Sequence, residues 1–169
     1  MKKFVKNICL LLFVSSAFIA CSSDDGGDST LSGVPSGEIV SVELRNETLT
    51  GFSDDEGSQK WWTHVVSSIF SSNEEECGWD TEYENQGYFA FFPDGNYYQR
   101  TSFSGSQTLV GSWEWANSSK TKISISNQTG EGVMTVTYLN DENIVFGNKQ
   151  NIEGCSITSY EQFNDPIWE

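Results

Sequence analysis

The sequence predicts an all-β protein, folded as an antiparallel up-and-down β-barrel of about eight strands. Short segments rich in Val, Ile, Thr and aromatic residues recur between clusters of Gly, Asn, Asp and Ser, and almost nothing has helical periodicity. Several connections between these segments are so short that neighbouring strands must be antiparallel. A meander of hairpins with one apolar and one polar face is what a closed barrel requires.

The predicted strands share the same composition and are separated by turn residues. They lie near 38–44, 60–70, 87–92, 97–103, 109–116, 121–126, 133–139, 144–147 and 155–160. Asp94 and Gly95 separate two aromatic runs, and this pair favours a two-residue hairpin turn that would place Phe92 opposite Tyr97.

The next hairpin has a clearer alternation. Trp113 and Trp115 alternate with polar residues, as do Ile123 and Ile125. Pairing Trp115 with Ile123 and Trp113 with Ile125 puts all four side chains on one apolar face. The segment 133–139 shows the same alternation, with Met134, Val136 and Tyr138 on one side.

The order of these segments resembles a known domain family. An aromatic strand from Gly87 ends in the Asp-Gly turn, a Gly-x-Trp strand from Gly111 follows, and alternating strands over 123–125, 136–139 and 144–146 complete the series. This pattern, together with an opening strand at Lys60-Trp61-Trp62, resembles the lipocalin-like domain of small bacterial lipoproteins. The resemblance covers roughly residues 59–146 and implies a small barrel with a central interior.

The first residues have the layout of a secretory signal peptide. Lys2, Lys3 and Lys6 precede an apolar stretch over 8–20 that is too short to span a bilayer as a helix. The small Ala20 comes directly before Cys21, and this junction resembles the lipobox of bacterial lipoproteins. The resemblance implies that residues 1–20 are removed and that Cys21 becomes the lipidated first residue. An ordinary cleaved signal is the alternative.

An acidic, polar stretch over 22–30 follows Cys21, so we assign residues 21–37 to a flexible tether and residues 38–169 to the barrel domain. Acidic residues directly after a lipidated cysteine resemble a surface-export tag, and Ser22 resembles outer-membrane sorting. We therefore expect an outer-membrane lipoprotein exposed at the cell surface. Periplasmic orientation and a plain solvated spacer are the alternatives.

The charge of the chain restricts its partners. The whole chain carries a formal charge of −15, from nine basic and 24 acidic residues. Removing the three signal lysines leaves six basic residues against 24 acidic, which is 6 − 24 = −18. Phosphate backbones repel such a chain, so nucleic acid is excluded as a partner.

The cysteines indicate a disulfide. Cys9 leaves with the signal and Cys21 is consumed by the lipid, which leaves Cys77 and Cys155 in an exported, oxidising environment. The competing interpretation is a metal pair. His64 is the only histidine in the chain, and it offers no nearby support for a metal site.

Motifs for catalysis are missing from the sequence. It contains no Gly-x-Ser-x-Gly elbow and no phosphate-cradling loop, and His64 stands alone within a strand. The carboxylates occur in runs typical of solvated loops, without the alternating ligand pattern of a calcium loop. We therefore predict no catalytic residues, no metal and no cofactor.

Aromatic side chains are the one type of potential binding residue that the sequence contains in abundance. A barrel of about eight strands has room inside either for packed side chains or for one small molecule. The candidates for lining the interior are Trp61, Phe92, Tyr97, Trp113, Trp115 and Tyr138. The first hypothesis is a non-enzymatic barrel that binds a small hydrophobic or amphipathic ligand. The alternative is a packed interior with exposed aromatics that bind a glycan or a protein. Arg100, within an aromatic strand, is expected to point outward because an unpaired buried charge is costly.

Overall fold

The computed structural model describes residues 31–53, 56–128 and 130–169. Within these ranges the helices are α1 (Arg45–Thr50) and α2 (Glu74–Cys77). The strands are β1 (Phe52–Ser53), β2 (Glu56–Gly57), β3 (Lys60–Ser71), β4 (Asp80–Glu84), β5 (Tyr88–Phe91), β6 (Asn96–Arg100), β7 (Thr108–Trp115), β8 (Lys122–Asn127), β9 (Gly130–Leu139), β10 (Asn143–Ile152) and β11 (Cys155–Trp168).

The main sheet closes into an eight-stranded antiparallel barrel, as predicted. From β5 to β11 each strand pairs with the next. β11 then pairs with β3 along the whole length of β3, from Lys60 to Ser71. β4 pairs with the end of β3, and β5 pairs with the same edge of β3 near its start. Together β4 and β5 therefore occupy one strand position of the barrel.

The two ends of the barrel differ. The lower end carries the start of β3 and the turns at 92–95, 116–121 and 140–142, and the upper end carries α2 and the turns at 101–107 and 153–154. At the upper end, β4 pairs only with β3 among the described strands, so its other edge is open. Asp80, Glu82 and Glu84 lie exposed along it, and such charges discourage edge-to-edge association.

The β5–β6 hairpin has a different register from the predicted one. Phe91, not Phe92, lies opposite Tyr97, so the prediction of a two-residue turn is wrong. The Gly95 amide donates to the Phe92 carbonyl at 3.0 Å, and Gly95 has a φ of 82°. Pro93 suits the first central position of a type I turn, and a glycine at positive φ completes the longer loop.

The β7–β8 hairpin has the predicted register. Trp113 lies opposite Ile125 and Trp115 lies opposite Ile123, and Ile123 is fully buried. The alternation of apolar and polar residues was sufficient here because both strands are regular and joined by a short turn.

The segment before β3 closes the lower end, and the predicted strand at 38–44 is wrong. Only Ile39 has a β partner there, through a parallel bridge to Leu139, and the chain then enters α1. Leu49 of α1 is fully buried, and the Trp62 indole donates to its carbonyl at 2.9 Å. Contact with the barrel end, rather than local alternation, decides the conformation of this segment.

Residues 31–37, assigned to the tether from the sequence, lie along the outer face of the barrel. Gly33 contacts the ring of Phe70 and Gly37 contacts the ring of Tyr138. A Cβ atom would lie only 2.7 Å from the nearest ring atom at Gly33 and 2.5 Å at Gly37. Glycine therefore permits the close approach of this segment to the sheet.

Lys60 of β3 is buried, with 1% of its surface exposed, and its side chain contacts α1. Its Nζ donates to the Thr48 carbonyl at 2.8 Å and lies 4.9 Å and 4.7 Å from the ring centres of Trp62 and Trp168. Burial lowers the pKa of Lys60, and the Asp141 carboxylate at 3.8 Å partly offsets that effect. The carbonyl, the two rings and the carboxylate together compensate a buried cation.

Cys77 and Cys155 form a disulfide at the upper end, as predicted. The bond joins α2 to the start of β11. It closes a loop of 78 positions that contains most strands of the barrel.

Replacing Cys77 and Cys155 together by alanine should lower the free energy of unfolding by about 4 kcal/mol, because the unfolded chain regains the entropy of that loop. Urea denaturation of the oxidised protein and the double variant measures the difference. A reductant should move the midpoint of the unaltered protein to that of the variant and leave the variant unchanged. Equal midpoints without reductant would contradict this role.

Candidate functional site

The lower half of the barrel interior is packed with side chains. Phe91, Phe146 and Phe163 are at most 1% exposed, and Tyr97 and Trp113 are each 7% exposed. The rings contact one another directly, with 4.8 Å between the centres of Phe91 and Tyr97 and 5.7 Å between Phe91 and Trp113. The side chains of this half therefore pack against one another as in an ordinary protein core.

The upper half of the interior is more open. The strand registers place Ser67, Ile69, Tyr83, Ser159 and Glu161 on the inner face, and we call this set the cup. Glu161 is 18% exposed and Tyr83 is 48% exposed, although both face inward. Solvent therefore reaches the interior from the upper end.

A polar cluster lies at the bottom of the cup. His64 is 1% exposed, and its Nε2 lies 2.8 Å from the Ser67 hydroxyl. That hydroxyl donates to the Glu161 carboxylate, which also lies 3.4 Å from His64 Nε2. The His64 ring is flanked by Phe89 and Phe163, with ring centres 5.6 Å and 5.5 Å away. The cup thus has an aromatic floor with one carboxylate above it.

A β-bulge in β3 makes this cluster possible. Residues three apart on a regular strand face opposite sides of the sheet. The pairing of β3 with β11 skips Val65, because Phe163 pairs with His64 while Gln162 pairs with Val66. The extra residue turns His64 and Ser67 to the same face, as bulges commonly re-aim side chains.

His64, Ser67 and Glu161 are the residue types of a hydrolase triad, but their geometry differs from that of a triad. The Gln86 backbone amide donates to His64 Nδ1 at 3.2 Å, so this nitrogen is an acceptor. The neutral ring then carries its proton on Nε2 and cannot accept the proton of Ser67. In a triad the carboxylate would instead contact Nδ1, with Nε2 free to act as the base.

Tyr97 lies beside this cluster in the packed half. Burial raises the pKa of Tyr97 well above 10, and the negative charge of Glu161 raises it further. Tyr97 therefore stays neutral under physiological conditions.

The predicted interior residues divide between the two faces. Tyr97 and Trp113 are in the core, and Trp115 packs against it at the lower rim. Trp61 is buried, but on the outer face: it alternates with Trp62, which pairs with Phe89 in the core. The prediction that Trp61 lines the interior is therefore wrong.

Phe92 and Tyr138 also lie outside, contrary to the prediction. Phe92 belongs to the β5–β6 turn and packs on Tyr98, with 4.8 Å between ring centres. Tyr138 follows an irregularity between β9 and β10, where Val145 pairs with Tyr138 but Phe146 pairs with Val136. This shift reverses the alternation, so Val136 faces the core and Tyr138 faces outward.

Arg100 points outward, as expected. Its guanidinium carbon lies 3.8 Å from the ring centre of Trp61, and Nη1 donates to the Glu169 carboxylate at 2.5 Å. The hydrogen bond from Arg100 lowers the pKa of Glu169. Stacking and ion pairing thus compensate the charge of Arg100 on the outer face, while its buried Nε has no hydrogen-bond partner among the described residues.

Sequence reasoning missed Ser67 and Glu161. The strand prediction at 155–160 ends before Glu161, whereas β11 continues to Trp168. The alternation of Ser159, Glu161 and Phe163 could have indicated a shared face. The bulge at Val65 leaves no recognisable signal in the sequence.

Comparisons with known proteins add no relatives: no protein-family model matches the chain, and no curated protein matches it significantly. The small eight-stranded antiparallel barrel is compatible with a lipocalin-like fold. Across the described residues no helix is long and apolar enough to cross a membrane, and no group of three or more His, Cys, Asp or Glu could hold a metal ion. The predicted lipidation site, Cys21, lies outside those residues.

The geometry predicts that neutral His64 carries its proton on Nε2. Long-range ¹⁵N–¹H correlation spectra report the tautomer directly, and the single histidine of the chain makes the assignment unambiguous. Gln86→Pro, which removes the donor to Nδ1, is the matched comparison and should weaken this preference. Predominance of the Nδ1–H form in the unaltered protein would contradict the assignment.

Proposed function

We propose that this protein is a non-enzymatic, lipid-anchored lipocalin-like protein that binds a small amphipathic molecule in the cup. The anchor at Cys21 and the outer-membrane location rest on the resemblance of the leader to lipoprotein signals. The observation that supports ligand binding is the contrast within the barrel, where a packed lower half lies below inward-facing residues that solvent reaches.

The apolar part of the ligand would contact the floor and one wall of the cup. Phe89 and Phe163 form the floor beside His64, and Ile69 and Tyr83 face inward above it. Burial of apolar area contributes about 25 cal/mol per Å², so an alkyl chain or a ring system gains most of its affinity here. The open edge of β4 gives access from the side as well as from above.

The polar part of the ligand would meet Glu161. This carboxylate is held by Ser67 and His64 from one side and remains 18% exposed on the other. A partly buried carboxylate favours an ammonium or another hydrogen-bond donor and disfavours a second carboxylate. The ligand class that fits is therefore a cationic or donor-bearing amphiphile rather than a fatty acid.

Dodecylamine and dodecanoate form a matched pair of probes, because they share a tail and differ in the sign of the head group. Isothermal titration of the whole chain carrying Cys21→Ser, below the micelle concentrations, should detect the amine and not the acid. Glu161→Gln should weaken amine binding about tenfold, which corresponds to about 1.4 kcal/mol.

Glu84→Gln is the control for net charge, because it removes an equal charge from the exposed outer face of β4. It should leave binding of the amine unchanged. Failure of both probes to bind, or equal weakening by the two variants, would contradict a ligand site at Glu161.

A further inference from the structure

A second concavity lies outside the barrel, at the lower rim. It is a groove with a volume of about 630 Å³ that runs from the turn at 93–95 and Asn46 across the outer surface of β7, β8 and β9. We call it the rim groove. Its size falls within the range of small-ligand sites, and it shares no residue with the cup.

Trp115 lines one end of the rim groove at the lower rim, where its side chain leaves β7 on the inner face together with Ile123. Trp115 is partly exposed, and its ring meets Trp113 edge to face with 5.9 Å between centres. Its Nε1 lies 3.4 Å from the Asn46 side-chain oxygen, so α1 holds the ring from the other side. An indole fixed in this way offers a rigid apolar surface that loses little entropy on binding.

The remainder of the rim groove is a row of oxygen atoms. Ser112 pairs with Ser126, and Ser126 pairs with Glu131, so three polar side chains on adjacent strands lie in line on the outer face. Adjacent strands are about 4.8 Å apart, which sets the spacing of these groups. Glu114 lies beside the row, opposite Ser124 on the neighbouring strand.

Several of these oxygen atoms are free to bind a ligand. Ser112, Ser126 and Glu114 make no side-chain hydrogen bond to any other described residue, whereas Glu131 accepts one from Ser124 at 3.0 Å. Hydroxyl and carboxylate groups in a row, next to an indole, match the two surfaces of a sugar ring: its hydroxyls and its apolar C–H face.

We propose that the rim groove binds a neutral glycan. The carboxylates of Glu114 and Glu131 accept hydrogen bonds from sugar hydroxyls and repel glycans that carry acidic groups. The strong negative charge of the whole chain acts in the same direction. This site is independent of the cup, since the two share no lining residue.

The test is titration of the whole chain carrying Cys21→Ser with four neutral hexasaccharides, namely maltohexaose, cellohexaose, mannohexaose and chitohexaose, and with acidic hexagalacturonate. At least one neutral hexasaccharide should bind and change the tryptophan fluorescence, and hexagalacturonate should not. Ser112→Ala combined with Ser126→Ala should weaken neutral-glycan binding about tenfold by removing two hydrogen-bonding groups.

Matched variants separate this site from the cup and from general effects on the fold. Ser72→Ala combined with Ser104→Ala removes two exposed hydroxyls elsewhere and should not change glycan binding. Glu161→Gln should also leave glycan binding unchanged, and the Ser112/Ser126 variant should still bind dodecylamine if the cup does. Absence of binding by all four neutral glycans, equal binding of hexagalacturonate, or an unaffected Ser112/Ser126 variant would overturn the proposal.

Discussion

The pairing of β11 with β3 is the interaction on which the rest of the structure depends. It spans ten residue pairs, from Ile157 with Ser71 to Trp168 with Lys60. Without it the meander would be an open sheet with two exposed edges, and its alternate side chains would not face one enclosed interior. The disulfide between Cys77 and Cys155 joins the upper ends of the same region, so covalent and hydrogen-bonded closure reinforce each other.

This closure also determines the character of the interior. The bulge at Val65 lies within the closing pair of strands, and it brings His64 and Ser67 to one face opposite Glu161. Below this point α1 and the aromatic core fill the barrel, so the polar cluster marks the boundary between a packed half and an open half. A single irregularity in the closing ladder therefore separates a structural core from a candidate binding site.

The sequence predicted the regular parts of the fold and little of the site. Alternation with short turns was enough for the barrel and for the pairing of Trp113 with Ile125, because regular strands have a strict period of two. It failed at irregularities, where one extra residue reverses the alternation, as at Val65 and before Tyr138. It also failed at α1, where Leu49 is buried through long-range contact with the barrel end rather than by a local alternation.

The upper interior of the barrel is open to solvent while the lower interior is packed, and isoleucine methyl groups report on both. Ile69 faces the cup, whereas Ile123 and Ile144 are fully buried in the lower half. A soluble nitroxide added to methyl-labelled protein should broaden the Ile69 resonance strongly and leave those of Ile123 and Ile144 sharp. Equal protection of all three methyl groups would mean that the barrel is packed throughout, and it would contradict a ligand site in the cup.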